Sequence, residues 1–167
     1  MGIIERLVKE HGEMLGILDQ MVDLLAQAGN IRGERRAVLV GREIPELEKR
    51  VLDILKRHER EEMELFSRAD PALNDAVDHQ HMEIDEVFRI ASALIYLKDP
   101  GNLHAIHFAL KRIQDDLKQH FSYEERVIFP LLPEEPRGQV FTIPASGPGS
   151  ADASQGLGKG RTSAPGR

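Results

Sequence analysis

The chain has 167 residues, 30% of them charged and 41% hydrophobic, with no cysteine and a formal net charge of −6. Those figures suit one soluble domain with a real core and exclude disulfides and thiolate metal ligation. The acidic balance argues against nucleic acid or an anionic membrane as partner, and no apolar run is long enough to span a bilayer.

The N-terminus carries charges from Glu5 onward and lacks the apolar stretch of a secretory signal, and Arg6 stands where a myristoylation signal needs Ser or Thr. A cytoplasmic protein is expected, monomeric or weakly self-associating. From about Ile3 to Ala28 the apolar residues Ile4, Leu7, Met14, Leu18, Met21 and Leu25 recur at helical spacing, with His11 inside the stripe and Gly29 as the stop. The stretch 30–44 is harder to read. A helix starting at Pro45 fits the preference of proline for the first turn, but it leaves a long connection. Ala37, Val40 and Ile44 prolong the stripe of Leu47, Val51, Leu55, His58, Glu62 and Leu65, so a longer helix from near Glu34, kinked at Pro45 and ending near Arg68, is favoured.

A third helix is predicted over 72–98, with the stripe Val77, His81, Ile84, Phe88, Ala91 and Ile95. Asp99-Pro100-Gly101 is a turn, and Asn102 a candidate N-cap for a fourth helix that ends between Pro130 and Pro133. That helix carries Leu103, Ile106, Leu110, Ile113 and Leu117, then His120 and Glu124, then Val127 and Leu131. From Pro136 the composition changes, and Pro144 to Arg167 is so rich in Gly, Ser, Ala and Pro that disorder is expected. The chain thus reads as all-α: an up-down-up-down antiparallel four-helix bundle over 1–135, with a disordered tail over 136–167.

Each of the four stripes holds a histidine: His11, His58, His81 and His120. Two add a carboxylate one turn later on the same face, Glu62 and Glu124. Alone, a histidine in a stripe is usually a hydrogen-bonded core residue, and a His/Glu pair is usually a surface pair. Together they behave differently. In such a bundle all four histidines lie ~14–18 Å from one end, so four imidazoles and two carboxylates meet in one buried layer. Such a set suits two iron ions, or less readily manganese, because two carboxylates can bridge and shield a pair of cations. A single zinc would leave buried charge without a purpose.

Some alternatives stay open. His79 competes with His81 on a poorer stripe; Glu61, and after it Glu59, competes with Glu62. His104 and His107 fall toward the other end of the fourth helix, and Tyr123 reads as a boundary residue. Met14, Met21, Met63 and Met82 read as packing residues, and the acidic runs 59–64 and 134–135 as solvated apart from the ligands.

The order His, His-x-x-x-Glu, His, His-x-x-x-Glu, closing on Glu124-Glu125 and Phe129-Pro130, resembles the hemerythrin-like, or HHE cation-binding, domain across roughly residues 3–133. The resemblance implies His11, His58, Glu62, His81, His120 and Glu124 as di-iron ligands, with both glutamates bridging. Oxygen-carrying members use five histidines, a glutamate and an aspartate from a His-x4-Asp motif. Here Glu124 follows His120 at the x3 spacing, Glu125 stands at x4, and no fifth histidine shares the register. A di-iron protein that reacts with hydrogen peroxide, oxygen or nitric oxide is therefore expected ahead of a reversible carrier. A non-catalytic oxygen or iron binder or sensor is the alternative.

Overall fold

The computed structural model describes residues 2–132, which lie in the unit Met1–Glu135. Expectations for Glu134, Glu135 and the tail fall outside the described residues. Those described are helical, with four long helices and no strand.

Helix α1 spans Ile3–Asn30. The Glu5 carboxylate accepts the Gly2 N–H at 3.1 Å, satisfying a donor that the first turn leaves free. The short helix α2 (Glu34–Val38) passes through a π turn, Leu39–Glu43, into α3 (Ile44–Ala69) without leaving the right-handed helical region. The longer helix from Glu34 is therefore the one that forms. Pro45 accounts for the π turn. Proline donates no N–H and its ring crowds the carbonyl four residues back, so the chain widens just ahead of it. The Ile44 N–H accordingly reaches the Leu39 carbonyl, five residues back.

The Asp70 carboxylate then accepts the Ala72 N–H at 3.0 Å and starts α4 (Ala72–Tyr96). Its buried residues are the six of the expected stripe, Val77 to Ile95. α4 stops short of the expected Lys98, because Lys98 takes φ +51° and turns the chain out of the helix. Asn102 does not cap the next helix. Asp99 holds the turn instead, its carboxylate accepting the Gly101 N–H at 2.8 Å, and a 3-10 turn, Pro100–Asn102, leads into α5 (Leu103–Tyr123).

A second π turn, Glu124–Ile128, and a 3-10 turn, Phe129–Leu131, complete this helix, with Pro130 two residues beyond the π turn, as Pro45 is beyond the first. This turn corrects the sequence reading. One extra residue per turn moves the inward face on by one. Val127 and Leu131, expected in the core, are 43% and 65% exposed, while Ile128 and Leu132 are buried in their place. Met14 and Met21 pack in the core as expected, but Met63 and Met82 face solvent.

α1 runs antiparallel to both α3 and α5, as its contacts show. Arg6–Glu61, Arg57–Glu10 and Arg50–Glu13 join α1 to α3 with numbers rising on one and falling on the other. His11–Glu125 and Gln114–Asp19 do the same for α1 and the α5 arm. α3 also packs on α4, and α4 on α5, which closes the ring. The apolar interior is in two parts. A large cluster runs from Met14 and Leu55 through Ile84 to Leu117. A small one gathers Leu7, Phe66, Val77, Ile128, Phe129 and Leu132. On every helix the stripe histidine falls between the two, so a polar layer separates them. No helix among the described residues is long and apolar enough to cross a membrane.

Candidate metal centre

The layer is built from one turn of each long helix. α1 contributes His11, α3 contributes His58 and Glu62, α4 contributes His81, and the α5 arm contributes His120 and Glu124. All six are buried, with Glu62 and Glu124 at 0% exposure. Their donor atoms form two quartets, His11, His58, Glu62 and Glu124 on one side and Glu62, His81, His120 and Glu124 on the other. The two glutamates belong to both.

Each carboxylate divides its oxygens between the quartets. Glu62 Oε1 lies 2.9 Å from His58 Nε2, and Oε2 lies 3.7 Å from His81 Nε2. Glu124 Oε2 lies 3.3 Å from His11 Nε2, and Oε1 lies 2.8 Å from His120 Nε2. None of these four buried oxygens has a partner in hydrogen-bonding alignment, despite the short distances. Four orphaned carboxylate oxygens at the centre of a protein are costly, and a cation would satisfy them.

The imidazoles fit the same reading. Nε2 of His11 and His58 lie 3.1 Å apart, and Nε2 of His81 and His120 lie 3.0 Å apart. Each pair is close enough for its two nitrogens to share one ion.

Outer partners hold the rings. The Nδ1–H of His11 donates to Glu125 at 2.7 Å, that of His58 to Glu10 at 3.2 Å, and that of His120 to Gln80 at 2.9 Å. Arg57 in turn donates to Glu10 at 2.8 Å. Phe121 stacks on His11 with ring centres 3.9 Å apart, closing that flank with carbon. Sequence reasoning found none of these roles. Glu125 was visible only as a departure from an expected aspartate; its side chain is 41% exposed and reaches His11 from the rim of the layer.

The charges lean on one another. Burial pulls the His11 imidazole down, but the carboxylates of Glu124, Glu62 and Glu125 outweigh it and raise His11 to about 9. Burial opposes a proton on His58 likewise, and Glu10 and Glu62 raise it to about 9. Burial and the neighbouring His120 lower His81. Burial would raise Glu124, yet His11 and His120 hold it at about 2. A raised folded-state value means stability present in full below the unfolded value of 6.5 and lost as pH rises through about 9. Chelator-treated protein should therefore melt at a lower temperature at pH 9.5 than at pH 6.5. Melting curves at the two pH values check this, and a higher midpoint at pH 9.5 would contradict the charge arrangement.

The competing residues fall elsewhere. The His79 side chain is 81% exposed and pairs with Glu83. Glu61 is buried, contrary to the expectation of a solvated face, but it points away and binds Arg6 at 2.6 Å. Glu59 is also partly buried, and burial together with Asp85 and Glu62 raises it to about 7. His104, His107 and Tyr123 join neither quartet.

Comparison with protein families gives a match over part of the chain. Residues 72–142 match the hemerythrin HHE cation binding domain, a little under half of the chain. Within the described residues this segment contains His81, His120, Glu124, Glu125 and Gln80. The fold itself brings His11, His58 and Glu62, from outside the matched segment, to the same centre. No curated protein and no solved structure matches the chain.

Proposed function

We propose that this hemerythrin-like chain, with its HHE cation-binding domain, holds two iron ions through His11, His58, Glu62, His81, His120 and Glu124. The observation that carries the reading is the division of both carboxylates between two histidine pairs. His11 and His58 would hold one ion, His81 and His120 the other, and Glu62 and Glu124 would bridge them. Iron bound there supplies redox electrons and Lewis acidity toward a small ligand such as hydrogen peroxide, oxygen or nitric oxide.

The chain's own residues set the terms. Glu62 and Glu124 would set two negative charges beside the bound cations and so lower their mutual repulsion. The outer partners Glu125, Glu10 and Gln80 fix the tautomer that turns Nε2 inward. Phe121 and Phe129 border His11 and keep that side dry. No side chain of the two quartets is a nucleophile of the serine or cysteine type. Reactivity in this reading belongs to the bound ions and their ligand.

Two anionic bridges also favour the more positive metal state, which works against a carrier that must return to the reduced state after each cycle. Iron-loaded protein should contain two irons per chain by elemental analysis. On exposure to oxygen it should become oxidised and stay so when oxygen is withdrawn. One tightly held zinc and no iron would overturn the di-iron reading. Full recovery of the reduced spectrum over many cycles would leave the ions in place and make the protein a carrier.

A further inference from the structure

The two halves of the centre are alike in their inner residues and unlike in what stands behind them. Each half has two imidazoles and shares the same two glutamates, so the kinds of inner residue do not distinguish the halves. The outer partners do. Behind His11 stands the carboxylate of Glu125, and behind His58 the carboxylate of Glu10. Behind His120 stands the neutral amide of Gln80. No partner meets Nδ1 of His81 among the described residues. Both anions therefore serve one half.

We infer that Glu10 and Glu125 are positioning residues that make the His11/His58 half the tighter of the two metal positions, so that the centre fills in order with that half first. The inference rests on the two-ion reading above. A carboxylate accepting the Nδ1–H of an imidazole does two things. It fixes the ring so that the Nε2 lone pair faces the ion, and it polarises the ring toward the more basic, more strongly donating form. An amide oxygen does the first and little of the second.

The arrangement is also crosswise. Glu10 on α1 steadies His58 on α3, while Glu125 on the α5 arm steadies His11 on α1. Three helices are thus locked around one half, with Arg57 holding Glu10 in place from the surface side. The other half depends on a single amide between α4 and α5. A pre-positioned set of donors loses less freedom on binding, which acts in the same direction as the added charge.

The test is an anaerobic stepwise titration of the chelator-treated full-length chain with cobalt(II), followed by visible absorption. Wild type should take up two ions in two resolved steps. E10Q and E125Q keep a hydrogen-bond acceptor but remove the charge, and each should weaken the first step roughly 10- to 100-fold while leaving the second in place. Q80E adds the missing charge behind His120 and should tighten the second step by a similar factor, closing the gap. A loss of packing cannot produce that gain, so Q80E remains informative if E10Q folds poorly. Two ions bound in equal steps by wild type, or a second step that Q80E does not move, overturns the inference alone. Fewer than two ions bound by wild type overturns the two-ion reading and this inference with it, and stoichiometry separates that case from the first.

Discussion

If the centre holds two ions as proposed, replacing Glu124 with alanine is expected to remove both rather than one. Glu124 has an oxygen 3.3 Å from His11 and another 2.8 Å from His120, so its loss removes a donor from each quartet at once. In that reading it also removes one of the two negative charges that would lie between the cations. Outer-partner substitutions cost roughly 10- to 100-fold in metal affinity. Removal of a shared inner donor should exceed that and leave little metal bound after gel filtration. Glu62→Ala should behave alike. The sequence neighbours provide the controls. Glu61→Ala breaks a contact with the exposed Arg6 and should leave metal content unchanged, with a stability loss of about 1 kcal/mol at most. His79→Ala removes a surface side chain and should change neither. Two ions retained by well-folded Glu124→Ala protein, measured by elemental analysis, would mean that Glu124 does not bridge.

That contrast marks what the sequence could and could not disclose. The periodicity of α4 specified its buried face in full, because a regular helix with a clear stripe has one way to turn. The same logic separated His81 from His79. It failed where the helix is not regular. Counting in steps of an α-helix past Glu124 leads to Val127 and Leu131, and the π turn ahead of Pro130 moves the buried face to Ile128 and Leu132. Pro45 interrupts its stripe visibly, whereas Pro130 stands past the last ligand, where the stripe has too few residues to show the shift.

The outer partners escaped for another reason. Glu10 and Gln80 each precede a stripe histidine by one residue, off the helix's own inward line. They reach histidines on neighbouring helices, His58 and His120. Such contacts depend on the rotation and crossing of two helices, which a one-dimensional pattern does not encode. Glu61 is the same case. Its burial follows from Arg6 reaching across from α1, not from any signal on α3.

If the centre holds ions as proposed, each one removed should lower the midpoint of thermal unfolding by roughly 8–16 °C. A ligand at about 1,000 times its dissociation constant contributes about 4 kcal/mol, and each kcal/mol moves the midpoint of a chain of this size by about 2–4 °C. The structure says where the loss should fall. The polar layer separates the large apolar cluster from the small one around Leu7, Phe66, Val77, Ile128 and Phe129. Without cations, four buried carboxylate oxygens in that layer have no aligned partner, even where protons on His11 and His58 balance their charge. The small cluster is tied to the rest of the bundle through this layer, so it should open first, as a unit below the global stability. Amide hydrogen exchange should then show protection lost around Leu7, Phe66 and Ile128 before Leu18, Ile84 and Ile113. An unchanged midpoint after verified chelation would mean that the layer is satisfied without metal, and the case for a metal centre would fail with it.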